Sequence, residues 1–153
     1  MKVPGLLFAS LLLASANAAF AATPLEVVHQ AYAAYNKGDI PALVDQLSDH
    51  VEWRLVSAAP SEKFFGVRHN KQEVTAFFAS VGAADEVRSF EPREFVDGGD
   101  TVTVLGHELL ESRSSHKRFE ADWVHVVTVK DGKITRWLGY TGAILPQQQV
   151  AAK

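Results

Sequence analysis

Trp123, His125 and Tyr140 are the side chains whose types and spacing hold the most chemistry in this sequence. A neutral imidazole can give and take a proton near neutral pH. A phenol hydroxyl can donate a hydrogen bond to a carbonyl or enolate oxygen. An indole beside them would make a wall for a flat or hydrophobic ligand. The dipeptide Asp131-Gly132 brings the three together, because it is a strong two-residue hairpin signal. Such a turn pairs Lys130 with Lys133 and Val129 with Ile134. Continuing outward, Val127 faces Arg136, His125 faces Leu138, and Trp123 faces Tyr140. Side chains alternate along a strand, so these share one sheet face, and Val124, Val126, Thr128, Thr135, Trp137 and Thr141 share the other. In this register His125 is the expected proton carrier and Tyr140 the expected oxyanion donor. The competing reading is a core His and Tyr whose hydrogen bonds hold strands together.

His107 is the second candidate. A turn over Ser112–Ser115 sets it opposite Trp123 and near His125, whereas a slip of one residue turns it away. Two His without a third ligand, and without H-E-x-x-H spacing, do not make a metal site, so no metal is expected. Glu52, Glu94, Glu108, Glu111, Glu120 and Asp122 lie on predicted strands. Any of them drawn inside would have its pKa raised by desolvation and become a base near pH 7, but the expectation for most is a solvent face. Arg54 and Arg136 could pair with a carboxylate or an anion. His29, His50, His69 and His116 fall on helix faces or loops and are expected in solvent.

Several function classes drop out. The chain has no Cys, which excludes a disulfide scaffold, a thiol nucleophile and a Cys-ligated zinc. There is no G-x-S-x-G, no G-x-G-x-x-G and no P-loop, so the usual hydrolase elbow and nucleotide sites have no support and no cofactor is expected. A net charge of −3 does not suggest a nucleic-acid partner.

These side chains need a scaffold. Thr23-Pro24-Leu25-Glu26 is a capping box with Pro at the first helical position. Leu25, Val28, Ala31, Tyr32 and Tyr35 then recur at helical spacing until Lys37-Gly38. A short helix from Asp39 carries Ile40, Leu43, Val44 and Leu47. Val51–Val56 reads as a strand. Asn70-Lys71-Gln72-Glu73 opens a third helix with Val74, Phe77, Phe78 and Val81 on one face. From Val87 the period changes to two, giving strands over Val87–Val96, Thr101–Glu111, Arg118–Lys130 and Lys133–Thr141. Helices segregated from a meander predict an α+β fold, with three N-terminal helices on one face of a curved antiparallel sheet. A concave, mostly apolar interior is where a ligand belongs. Tyr35, Trp53, Phe77, Phe78, Trp123 and His107 are its expected contacts.

The first residues read as an export signal. Lys2 is followed by an apolar Val3–Leu13, too short for the ~20 residues of a membrane span, and then by small residues at A-x-A spacing. Cleavage is expected near Ala18 or Ala21. It leaves a domain over residues 22–145 and a loose tail over 146–153, with no membrane segment in the mature form and a periplasmic or secreted location.

The stretch from Val27 to Glu52, with its aromatic helix, Gly38-Asp39 joint, short helix and Leu-x-Asp entry to a strand, resembles the opening of NTF2-like proteins. Phe65-Gly66-Val67 through Phe78 is similar to the third helix of that family. Trp123-Val124-His125 and Asp131-Gly132-Lys133-Ile134 are similar to the late strands of its SnoaL-like members. The resemblance covers nearly all of residues 24–143. It implies a conical α+β fold with a deep pocket, often dimeric through the sheet, in a superfamily that includes ketosteroid isomerases, polyketide cyclases, epoxide hydrolases, dehydratases and binders without activity. Fold alone does not choose among them. Two departures bear on the choice. The general-base Asp that steroid isomerases carry late in the first strand has no match in Trp53-Arg54-Leu55-Val56. The Y-x-D that ends the last strand in many SnoaL-like members is Tyr140-Thr141-Gly142 here. The expectation is therefore an exported domain that binds a small hydrophobic molecule. The alternatives are an acid–base isomerase, lyase or hydrolase working through His125 and Tyr140, and a dimeric interaction module built on the sheet face of Val124, Val126 and Trp137.

Overall fold

Each helix begins where a polar side chain can close its first turn. The Thr23 hydroxyl accepts from the Glu26 backbone N–H at 3.2 Å while the Glu26 carboxylate accepts from the Thr23 N–H at 2.7 Å, which starts α1 (Pro24–Asn36). Asp39 caps α2 (Ile40–Asp45) by accepting from Ala42 N–H at 3.0 Å. Asn70 caps α3 (Lys71–Ala84) by accepting from Glu73 N–H at 2.8 Å. The computed structural model describes residues 21–57, 64, 66–142 and 145–146. The expected signal segment through Phe20, Phe65 of the family-like motif, and the tail beyond Pro146 lie outside the described residues. No helix among the described residues is long and apolar enough to cross a membrane.

The strands are β1 (Leu47–Ser57), β2 (Val67–Arg68), β3 (Asp85–Gly98), β4 (Thr101–Ser112), β5 (Arg118–Lys130), β6 (Lys133–Thr141) and β7 (Leu145–Pro146). They form one sheet in the order β2-β1-β6-β5-β4-β3, with β7 paired to β5. Two expectations change here. β1 runs parallel to β6, so the sheet is mixed rather than antiparallel, and the crossover that a parallel pair requires is supplied by everything from β2 to β5. The third helix follows β1 and β2, so only two helices precede the sheet. Leu47, grouped with the second helix by its spacing, opens β1 opposite Ile134. Leu145–Pro146, at the edge of the expected tail, pairs with Phe119 and Glu120.

The Asp131-Gly132 hairpin forms as read, with both residues at positive φ (50° and 71°) and Val129 opposite Ile134. One step further the ladder slips. Thr128 pairs with Arg136, leaving Thr135 as an extra residue whose hydroxyl donates to Thr128 O at 3.4 Å. A β-bulge of this kind reverses the facing of everything beyond it. His125 therefore pairs with Gly139, and Trp123 with Thr141. Trp137 points into the core, and Tyr140 points out with 46% of its surface exposed. Further bulges interrupt the β3–β4 ladder between Val87 and Ser89 and between Pro92 and Glu94. Bulges bend strands and increase their twist, and these curve the sheet around α1 and α3.

The core lies between those helices and the inner face of the sheet. Val27, Val28, Ala31 and Tyr32 of α1 and Val74 and Phe77 of α3 cover Val102, Val104, Trp123, Val127, Val129, Ile134 and Trp137. Each large side chain buried this way contributes about 1.5–3 kcal/mol. Two glycines make room for indoles. A Cβ on Gly106 would run into the Trp123 ring, and one on Gly139 would meet the Trp137 ring.

Candidate functional site

Helices and sheet do not fill the space between them. A cavity of about 190 Å³ remains, walled by Tyr32 and Tyr35 from α1, Phe77 and Phe78 from α3, Trp53 from β1, Phe90 from β3 and Trp137 from β6, with Leu43, Leu55, Leu110 and Ile134 between the rings. Trp53 and Trp137 lie stacked, 4.1 Å between centroids and 8° between planes. That pairing is possible only because the Thr135 bulge turned Trp137 inward. The indole N–H of Trp53 is buried with no hydrogen-bond partner among the described residues. The polar groups on the wall are Tyr32, Tyr35, His125, Asp85, Glu108 and Thr141.

His125 sits deep in this wall, 7% exposed, and stacks on Trp123 at 4.1 Å. Its Nδ1 is 2.7 Å from the Tyr32 hydroxyl, a contact between residues 93 positions apart. Burial pushes the Tyr32 hydroxyl far above the ordinary phenol range, and a hydrogen bond from Trp137 opposes that rise. An indole can only donate, so the Tyr32 oxygen accepts from Trp137, while the donor in the Tyr32–His125 hydrogen bond is set by the imidazole tautomer. Burial among rings, with no carboxylate to offset it, lowers the His125 pKa to about 3. His125 is thus a neutral, oriented hydrogen-bonding group rather than a base that titrates near pH 7.

A carboxylate enters the cavity from β4. Glu108 shares its strand face with buried Val102 and Val104 and enters the cavity opposite Phe90. Burial, with Asp85 nearby adding to it, raises its pKa to about 7, while His107 behind the strand opposes the rise. Among the described residues Glu108 has no hydrogen bond and no ion pair. Asp85, at the joint between α3 and β3, is also raised by burial, with Arg113 opposing it. Tyr35 is pushed up to about 12 by burial and by the charge of Glu108.

These shifts have a measurable consequence. The folded pKa of Glu108 lies above its ordinary 4.5. Its contribution is therefore present below pH 4.5 and lost as pH rises through about 7, because only the unfolded chain ionises freely in between. Glu108→Gln is expected to gain about 2–3 kcal/mol over wild type on going from pH 4 to pH 8. Urea denaturation at the two pH values measures this, and an unchanged difference would count against the buried acid.

Of the residues expected from sequence, Tyr35, Trp53, Phe77, Phe78 and His125 meet at the cavity. Trp123 is buried beneath it, stacked on His125 and Phe90, and serves as support. His107 and Tyr140 are not there. His107 pairs with Asp122, one position from the expected register, because the turn after Ser112, which carries His116 at φ 54°, is one residue shorter than that register requires. It lies on the outer face, with Nδ1 2.8 Å from Asp122 and Nε2 2.9 Å from Glu120, and these carboxylates raise its pKa. Tyr140 lies on the same outer face beside Val124. Tyr32, Asp85, Phe90, Glu108 and Trp137 were missing from the expected site. For Glu108 the parity with Val102 and Val104 was the available signal. For Trp137 there was none, because the bulge reverses it.

A curved mixed sheet wrapped around helices, with an aromatic cavity between them, defines an NTF2-like α+β protein. The model of the SnoaL-like domain family matches residues 28–137, and the chain belongs to that family. Similar solved structures include an NTF2-like protein from Burkholderia thailandensis E264, 27% identical with a TM-score of 0.73, over 79% of this chain and 92% of that one. TerC, co-crystallised with polyporic acid, is 24% identical with a TM-score of 0.67, over 78% and 91% of the two chains. A candidate polyketide cyclase from Pseudomonas putida KT2440 is 19% identical with a TM-score of 0.66, over 79% and 92%. The last two share the fold. No curated protein sequence matches the chain.

Proposed function

We propose that this is an exported protein that binds a small, flat hydrophobic molecule in the cavity between α1, α3 and the sheet. The observation that carries this reading is the cavity itself: about 190 Å³, walled mainly by rings, with few polar groups. An apolar cavity of about 150 Å³ is enough for benzene, so a one-ring compound fits. TerC, a protein with this fold, was co-crystallised with polyporic acid. Export rests on the apolar, small-residue segment before Ala22.

Thermal unfolding of the purified protein with series of hydrophobic ketones, lactones and epoxides tests the reading. A ligand at 100 times its dissociation constant adds about 2.7 kcal/mol of stability. Val81 lies on the cavity wall without being fully buried, so Val81→Trp is expected to plug the space and abolish the shift while leaving the fold intact. Absence of any shift across the three series in wild type would sink the reading.

A second reading, an acid–base isomerase, lyase or hydrolase, is favoured by the unpartnered carboxyl of Glu108. A carboxyl poised near pH 7 suits proton transfer. In that case Glu108 moves the proton and the neutral His125 orients the substrate. Turnover of a stabilising compound, lost in Glu108→Gln, would identify it. A homodimer through the outer sheet face is also part of the proposal. Leu105, Val124 and Tyr140 lie side by side across three strands there, each at least 36% exposed.

A further inference from the structure

The cavity lining holds two chemically different groups of side chains. Trp53 stacks on Trp137 and lies against Phe77, and with Leu43 and Ile134 these form an apolar floor. Glu108 and Asp85 interact electrostatically with each other, Glu108 also with Tyr35, and Tyr35 packs against Phe78 and Phe90. Phe90 is the cross-strand neighbour of Glu108, and Tyr35 sits edge-on to Phe90 at 4.7 Å. Among the described residues no Lys or Arg lines the cavity, and the one His that does is neutral. Arg113 opposes the charge of Asp85 from outside the wall, and His107 that of Glu108 from the back of β4. An uncompensated carboxyl in an apolar wall is costly to ionise, and nothing on the described chain neutralises Glu108 from within the cavity.

We propose that the ligand is an organic cation with an apolar body: its ammonium-type head rests among Glu108, Asp85, Tyr35, Phe78 and Phe90, and its body lies on the Trp53–Trp137 floor. The inference rests on the hydrophobic-pocket reading and narrows it. Ring faces are electron-rich and attract a cation directly, most effectively when it is alkylated and weakly hydrated. Such a head loses little on leaving water and provides the charge that Glu108 lacks. A neutral isostere of the same shape would gain the same apolar burial without either term.

Phenyltrimethylammonium and tert-butylbenzene are such a pair. Each is titrated into the full-length purified protein at pH 8, with Glu108→Gln and Asp85→Asn as variants. Gln and Asn keep the shape of the carboxyls they replace, and circular dichroism checks that each variant is folded. The cation is expected to bind at least about tenfold more tightly than the hydrocarbon. Glu108→Gln is expected to erase that preference while leaving hydrocarbon binding in place, and Asp85→Asn to reduce it in part. Affinity for the cation is expected to fall about tenfold from pH 8 to pH 6, as Glu108 takes up its proton. The charged and titratable groups around it are Asp85, Tyr35, His125, His107 and Arg113. Equal or tighter binding of tert-butylbenzene by wild type would overturn the cation inference and leave the hydrophobic pocket standing. Cation binding untouched by Glu108→Gln would overturn it as well. If neither compound binds, the cation inference and the one-ring pocket reading fail together.

Discussion

Between pH 6 and pH 4.5 the Glu108→Gln protein is expected to lose about 1.4 kcal/mol of stability per pH unit, and Asn at position 125 to abolish that slope. The burial of His125 beneath rings, with Nδ1 2.7 Å from the Tyr32 hydroxyl, is the cause. Its folded pKa is lowered from 6.5 to about 3. The unfolded chain therefore takes up a proton below pH 6.5 that the folded chain refuses. Stability is complete above pH 6.5 and is lost progressively as pH falls toward 3, about 5 kcal/mol in all. Glu108 acts in the opposite sense between pH 4.5 and 7, so in wild type the two nearly cancel there. Gln at position 108 exposes the His125 slope. Glu26, Glu73 and Glu111, whose pKa values are lowered, and Asp85, whose pKa is raised, begin to contribute at the bottom of the window but do so alike in both proteins, so the difference in slope isolates His125. Urea denaturation of Glu108→Gln and of the double variant Glu108→Gln/His125→Asn, at pH 6, 5.25 and 4.5, measures it. Equal slopes in the two proteins would show that His125 is not held neutral by burial.

The second large effect is expected at Gly106. A methyl group there would collide with Cζ2 and Cη2 of Trp123 and stand 2.6 Å from the Glu91 carbonyl oxygen. Neither neighbour can yield easily. The carbonyl belongs to β3, and Trp123 is 2% exposed and stacked on His125 and Phe90. Overpacking of this kind costs about 1–3 kcal/mol and sometimes more. Gly106→Ala is expected at the upper end, about 3 kcal/mol, which lowers the Tm of a chain this size by about 6–12 °C. Because Trp123 carries His125 on its face, the surviving fold is expected to bind cavity ligands less well. Gly82 in α3 is the control, since a Cβ there meets nothing within 4 Å. Gly82→Ala should be neutral or stabilising by about 0.5–1 kcal/mol. Differential scanning calorimetry of the two variants separates them, and similar behaviour would mean that Trp123 is not held as described.

Elements were legible in the sequence because their signals are local. A cap is decided by four residues, as Thr23 to Glu26 and Asn70 to Glu73 show. A two-residue hairpin turn is decided by the dipeptide that can adopt positive φ, as at Asp131-Gly132. The change of period after α3 announced the meander, and residue order along the chain supported the family. The aromatics of α1, α3 and β1 could be assigned to an interior because helical and strand spacing each leave one apolar face.

The polar side of the site was legible only in part, because facing in a sheet is counted from a reference point, and one added residue reverses it. Thr135 is that residue for β6: Trp137 and Tyr140 exchange places across it. A turn before Arg118 that is one residue shorter than the expected register does the same to His107. Neither change has a composition of its own. Glu108 needed no insertion, only the judgement that its strand face stays buried as far as the cavity. That depends on α1 and α3 closing over it. Desolvation is a property of the enclosure, not of the residue, and so the poised acid and the silent histidine were decided by tertiary structure. The sequence determined which elements form and in what order. The packing of α1 and α3 over a bulged sheet decided which of its many polar side chains share one dry cavity.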